Sequence, residues 1–178
     1  MNFSLYKSNY AHDIKKLFTS VFSDSEGQDE GEAIGKLAFE LQETTHQNDI
    51  FGLIAKDNQK IIGCIFFTRL TFENNINAFI LSPVAISTQY QNQGIGQELI
   101  KFGISHLRNN NVEIIFTYGD PNFYSKVGFQ QITENIAQAP LKLTYPHGWL
   151  AQSLVSDKIE PINGKSTCVN ALNNQKFW

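Results

Sequence analysis

Apolar and polar positions change their period several times along the chain, and each change predicts an element. Residues 3–7 alternate, as a short strand does. Residues 12–22 place Ile14, Leu17, Phe18, Val21 and Phe22 at the spacing of one helix face, and Ile34, Leu37, Ala38 and Leu41 repeat it farther on. Between them, residues 23–32 hold five carboxylates and no base, the composition of a solvated loop and helix start, where acids favour the positive end of the peptide dipoles. The same stretch is also suited to an acidic lip that draws in a cationic amine.

Two apolar, β-branched runs, 50–55 and 60–72, flank Lys56-Asp57-Asn58-Gln59 and predict an antiparallel hairpin. A central strand over 76–86 follows, then a helix over 97–108, then a strand over 112–118. The helix gathers Ile95, Leu99, Phe102 and Leu107 on one face, with Ile100 and Ile104 beside it, a broad stripe for packing on a sheet. Strand, helix, strand predicts a parallel crossover. Beyond Phe129 the pattern weakens. Residues 130–143 contain Pro140 and room for one strand, 145–149 read as a loop, 149–155 as a helical turn, and 166–170 as a closing strand. The expectation is one mixed α/β domain over 1–178, with a motif core at 76–130 and a C-terminal extension at 131–178.

The link from the central strand into its helix carries the first chemistry. Gln91-Asn92-Gln93-Gly94-Ile95-Gly96 places glycines where a helix begins. The first amides of a helix lack intrahelical acceptors, the dipoles add roughly half a positive charge, and glycine lets an anion approach the main chain. A diphosphate cradle is the natural use. A nucleotide-triphosphate loop would need Lys then Ser or Thr after the second glycine, where Gln97-Glu98 stand. A dinucleotide fingerprint would need a third small residue, where Leu99 stands.

Composition narrows the rest. The chain has 178 residues, 42% hydrophobic with 14 Phe, enough for one core that buries on the order of two-thirds of the unfolded surface. A net charge of −3 gives no electrostatic footprint for nucleic acid, and no apolar run is long enough to span a bilayer. The N-terminus lacks the apolar core of a signal peptide, and Cys64 and Cys168 show no metal spacing, so a cytoplasmic protein with reduced thiols and no metal is expected. A Ser-His-Asp hydrolase would need a Gly-x-Ser-x-Gly elbow, which is absent.

Two stretches then carry a resemblance. Gln91-x-x-Gly94-x-Gly96, five residues after Ile86, and Gly119-Asp120-Pro121-Asn122-Phe123-Tyr124-Ser125-Lys126-Val127-Gly128-Phe129, together resemble the paired signatures of the GNAT N-acetyltransferase superfamily, in its YhbS-like branch. The resemblance covers most of the chain. It implies a mostly antiparallel central sheet flanked by helices and splayed at strand 76–86. Pro83, which cannot donate to a ladder, agrees with such a splay. It also implies acetyl-CoA as co-substrate, with main-chain groups of Val84, Ala85 and Ile86 on the pantetheine arm. Gln91, Asn92, Gln93, Gly94, Ile95 and Gly96 would hold the diphosphate, with Phe123 beside the coenzyme. The superfamily often has Arg where Gln91 stands, so a charge-assisted contact is missing there.

The activity implied is direct transfer of an acetyl group to a primary amine, on a small molecule or a protein, by a monomer or homodimer. The alternatives are a non-catalytic acyl-CoA-binding or regulatory module, or an enzyme using another acyl-CoA. An alkylamine of pKa about 10.4 must lose a proton before attack, and the departing thiolate must gain one. In the resembling family the Tyr at position 124 is the general acid. The base is unassigned among Glu26, Glu73 and His147. Asp120, preceding Pro121, reads as the cap of the short helix that carries Tyr124.

Overall fold

The structure, a computed structural model, describes residues 1–178. The chain forms two compact units: Met1–Phe66 with Pro83–Gly103, and Phe67–Ser82 with Ile104–Trp178.

In the first unit, β1 (Asn2–Leu5) pairs antiparallel with β2 (Ile50–Asp57), Phe3 opposite Ala55 and Leu5 opposite Leu53. A turn through Asn58, at φ 53°, leads into β3 (Lys60–Thr71), and the last residues of β4 (Ala78–Ile86) lie next in the order. Two helices, α1 (Ala11–Glu26) and α2 (Gln28–Thr44), turn the faces read from the sequence inward, burying Ile14, Phe18 and Val21 and then Ile34, Leu37 and Leu41. Phe18 stacks on Phe66 of β3 at 6.0 Å between ring centroids.

The acidic stretch between these helices is not the loop that its composition suggests. α1 continues through Glu26 and α2 begins at Gln28, so Gly27 alone makes the turn, at φ 99° and ψ 165°. That region of backbone space belongs almost exclusively to glycine. Asp29 and Glu30 do occupy the first turn of α2, where the dipole favours them.

In the second unit, the start of β4 runs parallel to β5 (Ile114–Tyr118), the two strands being joined by the crossover helix α3 (Ile95–Asn109). Asn111, in left-handed conformation at φ 57°, follows the end of that helix. The short helix α4 (Pro121–Tyr124) comes next, then β6 (Gln130–Gln131) and β7 (Ala137–Gln138). β8 (Trp149–Ser153) lies antiparallel between β5 and β6. β9 (Ile162–Lys165) pairs with β7 as a separate small sheet, and β10 (Thr167–Cys168) pairs with β3 at Leu70 and Thr71. The parallel step between β4 and β5 sits in an otherwise mostly antiparallel main sheet.

β8 corrects the expectation of a helical turn over 149–155. Trp149, Leu150 and Ala151 are all buried, because the strand is covered on both faces. Such a run has no alternation to read and is easily confused with one turn of a buried helix. Trp149 stacks on Phe116 at 5.1 Å and donates its indole N–H to Ala137 O at 2.8 Å. Trp178 meets it edge-on at 6.1 Å and donates to Leu172 O at 2.9 Å. The weakly patterned C-terminal third is thus organised around two tryptophans. No helix is long and apolar enough to cross a membrane.

Candidate active site

The residues expected to cradle a diphosphate, Gln91 to Gly96, lead into the first turn of α3. The Gln91 N–H is engaged, donating to Thr88 O at 3.3 Å. The first helix-type bond beyond it is Glu98 N to Gly94 O at 3.0 Å. The main-chain N–H groups of residues 94–97 donate to no backbone carbonyl. This run of open donors sits at the positive end of α3. Asn92 and Gly94 take positive φ, 60° and 80°. At Gly94 a Cβ would meet no atom within 4 Å, so the space outside it is open.

Two expected ligand groups are already occupied. The Gln91 side chain turns back to donate Nε2 to Ile86 O at 2.9 Å. The carbonyl expected to be free at Ile86 is therefore paired, and the Gln91 amide group is aimed at the strand end rather than outward. Of the main-chain positions expected to serve the pantetheine arm, Val84 is half-buried while Ala85 and Ile86 are buried.

The phenol is built by the second motif. Asp120 caps α4 as its sequence suggested, its carboxylate accepting from Asn122 N at 2.9 Å with Pro121 in the first turn. Gly119 is required by close approach, since a Cβ there would lie 2.7 Å from the Tyr124 ring. Phe123 and Phe129 contact that ring edge-to-face at 5.0 and 5.7 Å, and Phe129 N donates to Tyr124 O at 3.2 Å.

The Tyr124 side chain points toward the end of a ladder. β4 and β5 are in register from Ala78↔Ile114 to Leu81↔Thr117, where the pairing stops although β4 continues to Ile86. Thr117 Oγ1, on that last rung, donates to Leu81 O at 3.0 Å, and its side chain acts on the ionisation of the Tyr124 phenol. Burial pushes the phenol above its ordinary value of 10.0. The Thr117 side chain pulls it back in part, and the nearby Asp120 carboxylate pushes it up again. Tyr124 therefore carries its proton throughout the neutral range.

A family model described as an acetyltransferase (GNAT) domain matches residues 47–131, a span that contains both motifs. YjhQ of Escherichia coli (strain K12), an uncharacterised N-acetyltransferase, is 29% identical over 174 residues, which cover 94% of this chain and 92% of that protein. The chain is similar to GNAT acetyltransferases. A second GNAT relative, the uncharacterised N-acetyltransferase YhbS of the same strain, is 28% identical over 103 residues, 57% of this chain and 60% of its own. The crystal structure of Escherichia coli YhbS in complex with CoA superposes with a TM-score of 0.81 at 20% identity, over 98% of this chain and 92% of that one. A GNAT acetyltransferase from Brucella melitensis in complex with acetyl-CoA gives 0.74 at 18% identity, over 97% of both chains. At these identities the likeness is one of fold.

The candidate bases have separate surroundings. Glu26 is exposed at the end of α1. The Glu73 carboxyl lies over Gly164, whose Cβ would be 2.7 Å from its Cδ. His147 is exposed, with Nδ1 3.2 Å from the Gln131 side-chain nitrogen. Two acids of the supposed lip already have partners: Asp24 accepts from Thr88 and Glu32 from Gln28. Sequence reasoning missed Thr117 and Asp24. Thr117 was legible only as a strand residue, and Asp24 only as one acid among several.

Proposed function

We propose that the protein is an acetyl-CoA-dependent N-acetyltransferase that moves an acetyl group to a primary amine by direct transfer, with residues 1–178 acting as one catalytic domain. The observation that carries the proposal is the group of main-chain amides at 94–97, at the head of α3, that donate to no backbone carbonyl. Open amides at a helix head suit an anion, and a diphosphate supplies several charged oxygens at once. The thioester brings the activated acetyl group. Everything else falls to the chain: the amides grip and orient, and Tyr124 gives its proton to the departing thiolate sulfur as the amine nitrogen bonds to the acetyl carbon. The phenol must then be recharged, by solvent or by the proton that the amine loses.

Cys64 is fully buried, and burial holds its thiol well above 9.0, which agrees with direct transfer rather than an acyl-cysteine. Both thiols are free, in keeping with the reducing cytoplasm that we assign. The acceptor is a primary amine, on a small molecule or a protein.

The test is thiol release from acetyl-CoA against a panel of polyamines, amino acids, aminoglycosides and lysine peptides, with Tyr124→Phe alongside. Turnover with at least one amine is expected, and Tyr124→Phe should lower kcat roughly a hundredfold with little change in CoA affinity. CoA binding without turnover on any amine would point to the non-catalytic module instead. Equal kcat in the Phe variant across pH would remove Tyr124 as the acid.

A further inference from the structure

The cradle contains no lysine or arginine: from Ser87 to Gln97 every residue is uncharged. An anion held by amides alone depends on those amides being fixed in a converging arrangement before binding, since no long cationic side chain can follow a misplaced ligand. What fixes them lies just upstream. The Ser87 N–H donates to Ile62 O of β3 at 2.8 Å, seating the start of the link. Thr88 Oγ1 then donates to Asp24 Oδ2 at 2.6 Å, on the last turn of α1. The Tyr90 hydroxyl donates to Asp57 Oδ2 at 3.0 Å, on the last residue of β2. Gln91 Nε2 closes on Ile86 O of β4 at 2.9 Å. The link is thus fastened to α1, β2, β3 and β4 immediately before the open amides begin.

Two of these fastenings end on carboxylates. An acid near an anion site has the wrong sign for binding, and its field alone would weaken affinity for a diphosphate. Asp24 and Asp57 each spend an oxygen on a hydroxyl of the link, and the Asp57 hydrogen bond raises the Tyr90 phenol above its ordinary value. We infer that Asp24 and Asp57 are positioning residues for coenzyme binding: as acceptors for Thr88 and Tyr90 they hold the link, and through it the amides of 94–97, in the geometry that receives a diphosphate. The inference rests on the coenzyme reading above.

Charge and position make opposite forecasts, which gives the test its edge. If the acids act only by their field, removing either one tightens CoA binding. If they position the link, Asp24→Ala and Asp57→Ala weaken it, whereas Asp24→Asn and Asp57→Asn keep an acceptor oxygen and with it the affinity. Calorimetric titration with CoA should show Kd rising roughly threefold to tenfold in the Ala variants and staying within about twofold of the parent in the Asn variants. Thr88→Val and Tyr90→Phe remove only the donor and should match the Ala variants, which covers the case where an Ala variant fails to fold. kcat with saturating acetyl-CoA should hold in all of them while KM rises. A parent protein that does not bind CoA would overturn the coenzyme reading itself. A parent that binds, with Ala, Val and Phe variants binding as tightly or more tightly, would overturn the positioning role alone.

Discussion

Gly94 allows the cradle to be tested with strain and obstruction separated. Its φ of 80° is one that L-residues adopt at a cost of about 1 kcal/mol for Ala and much less for Asn, whose short polar side chain tolerates the left-handed region. The loop already uses Asn this way, at Asn92 with φ 60°. Since a Cβ at Gly94 would meet nothing within 4 Å, neither substitution clashes with the folded chain, and backbone strain is the only cost to stability. Gly94→Ala should therefore lower Tm by roughly 2–4 °C, and Gly94→Asn by less. Binding should order the other way. Asn places a larger side chain in the open space outside the amides, and losing even one charge-assisted hydrogen bond of about 1.5–3 kcal/mol raises Kd roughly tenfold to a hundredfold. The assay is thermal unfolding beside calorimetric titration with CoA, both on the purified variants. Parental affinity in Gly94→Asn, together with a lowered Tm in Gly94→Ala, would mean that glycine serves only the turn and that no diphosphate lies there.

The raised Tyr124 pKa sets the sign of two pH effects. The phenol ionises at higher pH than a free one, so any loss of kcat due to its ionisation is shifted to the alkaline side of the ordinary phenol range, and pH–rate profiles of the parent and Tyr124→Phe should diverge least at that alkaline end. Its burial stabilises the fold with the proton on, fully so below an unfolded value of about 10 and progressively less as pH rises through the higher folded value. Denaturant titrations at pH 9 and 11 should show a smaller alkaline loss in Tyr124→Phe than in the parent. The cysteines should differ in reactivity: Cys64 is fully buried with its thiol well above 9.0, while half-buried Cys168 is raised by burial with its own backbone pulling it back. A disulfide reagent should leave Cys64 unmodified in the native protein, modify Cys168 slowly, and titrate both in denaturant; rapid native labelling of Cys64 would contradict the core assignment.

What could be read in the sequence was what local chemistry writes locally. The faces of α1, α2 and α3 follow the 3.6-residue period, and the crossover from β4 to β5 follows from strong apolar runs on either side of one helix. The cap at Asp120 needed only its neighbour Pro121 to be recognised. Where the sequence misled, a tertiary effect had removed the local signal. β8 is buried on both faces and shows no alternation, and the acidic stretch is helical because α1 and α2 pack on each other along their length, leaving one glycine to turn the chain. The fastening of Thr88 to Asp24 spans 64 residues, and that of Tyr90 to Asp57 spans 33; no window along the chain could contain either pair.

The same distinction separates binding from chemistry in this fold. The amides of 94–97 are main-chain groups, so substitution cannot delete them and can only move or obstruct them, which is why Gly94, Asp24 and Asp57 should act on Kd and KM. In the proposed mechanism Tyr124 contributes one side-chain atom, and its removal should act on kcat. A non-catalytic acyl-CoA sensor would need only the first set. Its phenol could be any aromatic, and nothing would require Gly119 to stay bare so that this ring can lie against the end of a parallel ladder, with Thr117 acting on its ionisation. The second motif keeps Gly119 bare beside a phenol that retains its proton, and that favours an enzyme over a sensor.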